Sequence, residues 1–202
     1  MKKMQNFLDL QRTTYRYSPS ELVSVLGFKE SLRASNAMLN NSEGNLDLRQ
    51  YSVVMLENLR RMCPNEWNSS WKYDAFLGYA YFMTYDSDRT YIAYTRALTK
   101  VSPPPPQLLI EIAWCCRSPG EQPLRYEEAV FIIKQMMKDK VYLEGVDALI
   151  SFYKSLKNDT ERDYWENKRN EFKDRTPPLP PIWELPEITA EEWVAPSNNE
   201  IH

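Results

Sequence analysis

Few of the side chains that usually carry catalysis or bind metal ions are present in this chain. The only histidine is His202, which argues against Ser-His-Asp and Cys-His mechanisms and against histidine-based metal sites. The three cysteines are Cys63 and the adjacent Cys115 and Cys116. Neighbouring side chains on a helix diverge by about 100°, a poor geometry for chelating one metal ion. We therefore predict that the adjacent pair packs rather than reacts.

Closely spaced carboxylates are the remaining candidates for acid–base chemistry. They are Asp86 with Asp88, Glu127 with Glu128, and Glu191 with Glu192. The first two pairs fit helix caps and first turns, where acidic groups complement the helix dipole. The five scattered glycines do not form a phosphate-binding loop. We expect a protein that is not an enzyme and that holds no metal and no cofactor.

The net charge and the hydropathy of the chain indicate which class of partner it binds and in which compartment it is found. The net charge is −3 and the sequence isoelectric point is about 5.4, whereas nucleic-acid binding usually requires a basic surface. The basic first residues are not followed by a long apolar run, and no stretch is long and apolar enough to span a membrane. We expect a cytoplasmic protein that binds another protein rather than a nucleic acid or a membrane.

The composition changes at residue 176. Residues 176–202 contain six prolines, two tryptophans and five glutamates but no lysine or arginine, so they carry −5 while residues 1–175 carry +2. Proline-rich sequence favours a stiff, extended chain. We predict a helical domain over 1–175 and an acidic C-terminal arm over 176–202, which serves as a linker or an arm and not as part of a core.

Apolar residues recur every three or four positions through most of the first 175 residues, which predicts amphipathic helices. Ser18, Pro19 and Glu21 form a capping-box signature that predicts a helix start. The predicted helices cover about 19–39, 48–62, 71–85, 91–101, 108–116, 123–138, 142–156 and 160–173. No stretch alternates strictly between apolar and polar residues, so little or no sheet is expected. The predicted fold class is all-α.

A weak repeat with a period of about 35 residues runs through 70–173. Leu77-Gly78-x-x-Tyr81 is echoed by Ile112-Ala113-x-x-Cys116 and by Leu149-Ile150-x-x-Tyr153. Each echo lies in a predicted helix that a second helix follows. A repeat of this kind indicates stacked helix pairs, which usually form binding surfaces rather than active sites.

The first unit of this repeat resembles the tetratricopeptide (TPR) family and its Sel1-like relatives. Leu77, Gly78 and Tyr81 match the first helix of a family unit, and Tyr94 and Ala97 match the second. The resemblance implies that the missing side chain of Gly78 lets a neighbouring helix approach closely.

The later units depart from the family pattern. Ala113 and then Ile150 stand where the family has a small glycine, and residues 120–123 form an insertion. The alternative to TPR-like stacking is an irregular helical bundle whose periodicity reports only antiparallel helix pairs.

The resemblance also implies a concave groove lined by the first helix of each pair. The positions that face the groove map to Tyr79, Phe82, Ile110, Trp114, Arg117, Ser151 and Lys154. Aromatic and arginine side chains are enriched at binding hot spots. The alternative reading is that the aromatic and aliphatic members of this set are ordinary core residues.

The tryptophans of the arm, Trp183 and Trp193, need a surface to cover them. Either the arm folds back on the positively charged body, or a partner takes it. In the second case Glu191 and Glu192 are candidates for contacting a basic cleft.

Residues 175–181 (Arg-x-x-Pro-x-x-Pro) match a pattern that SH3 domains bind. The alternative is that these residues are a stiff connector.

These features favour a non-catalytic protein–protein interaction protein with partner-binding residues in the groove and the arm. The sequence favours an immunity-type inhibitor that binds a cognate toxin, because the chain is rich in Tyr and Trp and ends in an acidic arm. The alternative is a secretion chaperone or adaptor that holds an extended peptide segment in its groove.

Overall fold

The computed structural model describes residues 12–41, 44–116, 125–173, 176–185 and 187–188. Within these ranges all regular structure is helical, which confirms the all-α fold class. The α-helices are α1 (Pro19–Asn40), α2 (Leu46–Met62), α3 (Pro64–Asn68), α4 (Trp71–Met83), α5 (Ser87–Leu98), α6 (Pro106–Cys115), α7 (Tyr126–Met136), α8 (Leu143–Ser155) and α9 (Asp159–Phe172). Residues 12–16 are also helical, and Ile182–Glu184 form a 3-10 turn. Among the helices described, none combines the length and the apolar character that crossing a membrane requires.

Local chemistry accounts for several helix starts. The Ser18 hydroxyl accepts from the backbone N–H of Glu21 at 3.4 Å, and the Glu21 carboxylate accepts from the backbone N–H of Ser18 at 2.8 Å, so the predicted capping box is confirmed. Ser70 caps α4 through its side-chain oxygen, and Pro106 occupies the first position of α6. The sequence analysis missed α3, which begins at Pro64 directly after α2 ends.

The longest helix, α1, is kinked at Gly27, where φ is 70° and ψ is −173°. This region of backbone space is essentially restricted to glycine. A Cβ built on Gly27 meets no atom within 4 Å, so the restriction comes from the backbone and not from packing. Directly after the kink, the Phe28 ring makes edge contacts with Trp67 and Tyr73, at centroid distances of 6.5 and 5.0 Å.

The chain divides into two compact units, residues 1–86 together with 183–202, and residues 87–182. The boundary after Asp86 separates α4 from α5, and the sequence analysis places no boundary there. The C-terminal arm, predicted as one segment, is divided between the two units after Ile182.

In the first unit, α1 packs along α2, and α2 also contacts α3 and α4. The fully buried side chains of α1 and α2 include Met38, Met55 and Leu59. The short helix α3 places Trp67, which is 1% exposed, inside this unit. The Trp67 indole N–H donates to Asp74 Oδ1 at 3.0 Å, as a buried indole requires.

In the second unit, each helix from α5 to α9 packs against the next, and α6 also contacts α8. Ile133, Leu149 and Phe152 are at the centre of its core. Gly145 allows a close approach in this unit, because a Cβ there would lie 2.7 Å from Met137 Sδ. The last helix, α9, buries no residue.

Two of the three predicted helix pairs lie within the second unit. α6 contacts α7, α8 contacts α9, and the contact between α6 and α8 joins the first helices of these two pairs. The remaining pair, α4 with α5, matches the family pattern best, but its helices belong to different units. Stacking of all three pairs in one rotational sense stays a prediction.

Substituting Gly27 with alanine should destabilise the first unit by about 1–3 kcal/mol, because alanine would be forced into a backbone region suited to glycine. This effect should outweigh the higher helix propensity of alanine. Chemical denaturation measures the change. Val25→Ala, at a position of α1 that is 49% exposed, is the control and should change the unfolding free energy by less than about 0.5 kcal/mol. A Gly27→Ala protein as stable as wild type would mean that α1 has no kink.

Candidate functional site

The part of the arm that lies in the first unit packs against the helices instead of extending away from them. We call residues 183–185 and 187–188 the docked segment. Leu185 and Ile188 are 7% and 0% exposed, so the expectation that the arm takes no part in a core is wrong for this segment. Of the two placements left open for the arm, its described residues up to Ile188 adopt the first, in which the arm folds back on the body.

The side chain of Asn36, on α1, holds the two ends of the docked segment. Asn36 Nδ2 donates to the Trp183 carbonyl at 3.2 Å and to the Ile188 carbonyl at 2.9 Å. Since one nitrogen reaches both carbonyls, the segment between them forms a loop and is not extended. The Ile188 N–H donates to the Leu185 carbonyl at 2.8 Å, which is a turn within this loop.

The orientation of the Asn36 carboxamide is fixed by its neighbour one helical turn away. Asn40 Nδ2 donates to Asn36 Oδ1, so the Asn36 oxygen is occupied and its nitrogen points to the arm. The Tyr79 hydroxyl, on α4, donates to Asn40 Oδ1 at 3.1 Å. These three side chains form a connected network, and such networks stabilise one arrangement when every member has a partner.

The same tyrosine supplies the aromatic contact to the docked segment. The rings of Tyr79 and Trp183 stack with centroids 4.4 Å apart and planes inclined by 24°. A stacked aromatic pair contributes about 0.5–1.5 kcal/mol beyond the area that it buries. Tyr79 therefore makes two contacts. Its ring stacks on Trp183, and its hydroxyl donates to Asn40.

A charged contact lies at the edge of this surface. Lys72, on α4, forms a salt bridge with Glu187. The hydrogen bond from Lys72 lowers the pKa of the Glu187 carboxyl below its usual value, and burial opposes this effect. The pair contributes stability above the usual pKa of a glutamate, and this contribution is lost as the pH falls through the lowered value.

Asn36, Lys72 and Tyr79 thus form a surface with three complementary functions. A carboxamide donates to backbone carbonyls, an aromatic ring receives an indole, and a cation receives a carboxylate. Backbone carbonyls are present in any peptide, whereas the ring and the cation select particular side chains. This arrangement can recognise a short looped peptide, and in this chain the peptide is the docked segment.

The predicted partner-binding residues of the first unit have different environments. Tyr79 and Trp183 are brought together and contact each other; Tyr79 is buried and Trp183 is half-buried. Phe82, near the end of α4, is 55% exposed. Four predicted residues lie outside the described residues, namely Arg117, Glu191, Glu192 and Trp193.

The remaining predicted groove residues lie in the second unit. Ile110 is 7% exposed and belongs to its core, and the Trp114 ring packs on Phe152 with centroids 4.9 Å apart. The core interpretation describes Ile110, whereas Trp114 is half-buried and packs against this core. Ser151 is half-buried, and Lys154 is exposed on α8.

Sequence reasoning missed Asn36, Asn40 and Lys72, and for the first two a signal was present. Asn36 and Asn40 lie one turn apart in a helix whose neighbouring positions include the buried Leu32 and Leu39. A polar residue within an apolar stripe needs a hydrogen-bond partner. The sequence could have suggested that partners exist, but not that they come from the arm.

A second cluster of polar side chains lies in the second unit, where Glu111 and Cys115 are one turn apart on α6. Burial raises the pKa of Glu111 to about 7, and a hydrogen bond at 3.4 Å from the Tyr94 hydroxyl opposes this effect. Burial, with a smaller effect from Glu111, raises the pKa of the Cys115 thiol to about 12.

The cluster has limited capacity for catalysis. A carboxyl whose pKa lies near neutrality can act as a general acid or base, but the Cys115 thiol stays protonated at neutral pH and does not supply a thiolate nucleophile. Cys115 is the last residue of α6 and Cys116 follows it as the C-cap. Across the described ranges, no three side chains of His, Cys, Asp or Glu converge in a way that could hold a metal ion.

No family model matches the sequence, and no curated protein and no solved structure matches it. The TPR resemblance continues to rest on Leu77, Gly78, Tyr81 and the two later echoes. Gly78 is buried in α4, and the close approach of a neighbouring helix to it stays a prediction.

Glu111 should make the second unit less stable as the pH rises. Its folded pKa of about 7 lies above the unfolded value of 4.5, so the folded state holds the proton more tightly and stability falls between these values. Glu111→Gln should remove this slope and stabilise the unit at pH 8, by an amount of order 3 kcal/mol at most. Denaturation at pH 5 and pH 8 measures it, with Glu127→Gln on the exposed side of α7 as the control. If the stability of Glu111→Gln still falls between pH 5 and pH 8, another group causes this pH dependence.

Asn36→Asp should favour release of the docked segment, because a carboxylate cannot donate to the two carbonyls and docking would then bury them without this partner. The expected cost is about 1–3 kcal/mol for each lost bond, measured by denaturation and by the emission of Trp183. Asn58→Asp is the matched control, since Asn58 Nδ2 also donates to a carbonyl, that of Val54, but at an exposed site where water can replace it. Equal losses for the two variants would contradict the role of Asn36.

Proposed function

We propose that this protein is a non-catalytic adaptor that binds a short segment of another protein on a helical surface. The observation that supports this proposal is the docked segment. A looped peptide is held in the first unit by a carboxamide, an aromatic ring and a lysine, all from helices that are distant from it in sequence. A scaffold that holds its own peptide in this way has the chemistry to hold a peptide of a partner.

Binding accounts for the available side chains better than catalysis does. The thiol of Cys115 is held protonated by burial. The raised pKa of Glu111 follows first from burial in an apolar helix, which needs no catalytic role. Exposed aromatic side chains such as Phe82, Phe131 and Tyr164 are instead suited to contacts with a protein.

The second candidate is the immunity-type inhibitor that the sequence favours. The acidic composition of the arm supports it, because a basic toxin cleft would attract such a segment. Trp183 and Glu187, however, are engaged within the chain by Tyr79 and Lys72. We therefore place the adaptor first and the inhibitor second.

The two candidates differ in the state of the partner that they bind. A partner is first captured with the full chain from the source organism, and its affinity is then measured by calorimetry in the native state and as overlapping peptides. We expect one peptide to account for most of the affinity of the native partner. The variant Lys138→Ala, at an exposed position of the second unit that no predicted site includes, should bind this peptide with unchanged affinity.

A partner that binds only in its folded form, with no peptide retaining affinity, would contradict the adaptor proposal and favour the inhibitor. Turnover of the partner or of a small molecule by the full chain would contradict both. Loss of the turnover in Glu111→Gln would then identify the acid in the second unit as the reacting group.

A further inference from the structure

We infer that the surface formed by Asn36, Lys72 and Tyr79 is a peptide-binding site and that the docked segment occupies it in place of a segment of a partner protein. This inference rests on the proposed function and adds the location of the site, the chemistry of its ligand and a competition between ligand and arm.

The first argument is that the contacts of the site do not depend on the connection of the arm to the body. Asn36 donates only to main-chain carbonyls of the docked segment, which a peptide from another molecule also offers. Tyr79 presents a ring face and Lys72 an ammonium group, and neither requires a covalent link to its partner. The network of Asn36, Asn40 and Tyr79 orients the donor from the helix side.

The second argument is that the docked segment is separable from the helices. It contributes no residue to α1, α2, α3 or α4, so its departure breaks no hydrogen bond within those helices. It directly follows Ile182, which is 1% exposed in the second unit, and residues 177–181 before it have no regular structure, with Pro177, Pro178 and Pro180 exposed. The lysine contact is at the edge of the surface, where the Glu187 side chain is 43% exposed.

The third argument is charge. Residues 1–175 carry +2 and residues 176–202 carry −5, so the body attracts acidic segments and the arm is the acidic segment nearest to it. A linked segment has a high effective concentration at its site. A partner must therefore match or exceed the affinity of the docked segment to displace it, and the arm sets a threshold for binding.

The occupied site specifies the chemistry of the ligand. The docked segment begins with Trp-Glu-Leu and ends with Glu-Ile. An aromatic side chain stacks on Tyr79, apolar side chains take the buried places of Leu185 and Ile188, and an acid pairs with Lys72. The expected ligand is an acidic peptide that contains an aromatic residue. Counted from this aromatic residue, an apolar residue follows at two positions, an acid at four and a second apolar residue at five.

The test uses the full chain with a protease recognition sequence inserted between Pro177 and Pro178, which are both exposed and precede Leu179, whose N–H donates to Glu144. After cleavage and dilution the C-terminal fragment should dissociate while the helical circular dichroism of the body is retained. A labelled fragment should then rebind with a saturable anisotropy signal. Unlabelled peptide of the expected ligand class should compete with it.

Two charge reversals in the fragment provide a matched comparison. Glu187→Lys removes the partner of Lys72 and should weaken rebinding at least tenfold, whereas Glu184→Lys, at an exposed position of the same segment, should weaken it less than threefold. The body variant Asn36→Asp should weaken rebinding of the unaltered fragment at least tenfold.

Several results would overturn the inference. The body could lose its helicity when the fragment leaves, which would make the segment a permanent part of the core. The fragment could fail to rebind, or the two charge reversals could have equal effects. Sedimentation of the uncleaved chain could instead show dimers that require Trp183, which would make the site a contact for the arm of a second copy. A partner that binds the full chain without displacing the docked segment would overturn this inference but would leave the proposed adaptor function standing.

Discussion

The carboxamide of Asn36 is 6% exposed, and buried polar atoms in folded proteins have hydrogen-bond partners. Asn36 obtains its partners from two places. Asn40, on the same helix, donates to its oxygen, and the carbonyls of Trp183 and Ile188 accept from its nitrogen. The first unit is therefore completed by a segment that lies about 150 positions later in the chain. The stacking of Trp183 on Tyr79 and the burial of Ile188 follow from this placement.

The second unit contains a comparable polar group in an apolar helix, but the outcome differs. Glu111 lies within the run Leu-Leu-Ile-Glu-Ile-Ala-Trp of α6. It receives a hydrogen bond from Tyr94 at 3.4 Å, a long contact, and its pKa rises to about 7 because burial disfavours the charged form. The buried Asn36 thus organises a peptide contact, whereas the half-buried Glu111 has a shifted pKa.

Local patterns made much of the helical structure predictable. The capping box at Ser18, the helix start at Pro106 and the apolar periodicity of α2 depend on residues within a few positions of each other. The kink at Gly27 depends on a backbone conformation that composition does not reveal. The docked segment depends on contacts between residues far apart in sequence, and no periodicity encodes such contacts. For the site, Tyr79 was predicted from its position in the TPR-like groove and Trp183 as a tryptophan of the arm, and nothing in the sequence pairs the two.

The central claim is that the docked segment is a ligand of the first unit and not an inseparable part of it. Native-state hydrogen exchange of the full chain tests this claim directly by comparing two amides, that of Ile188, which donates to the Leu185 carbonyl, and that of Leu77, buried in the middle of α4. We predict that Ile188 exchanges through a local opening with a smaller free energy and a weak dependence on denaturant, while Leu77 needs a larger opening. Equal free energies and equal denaturant dependence for the two amides would contradict the claim, since the segment would then leave only when the whole unit unfolds.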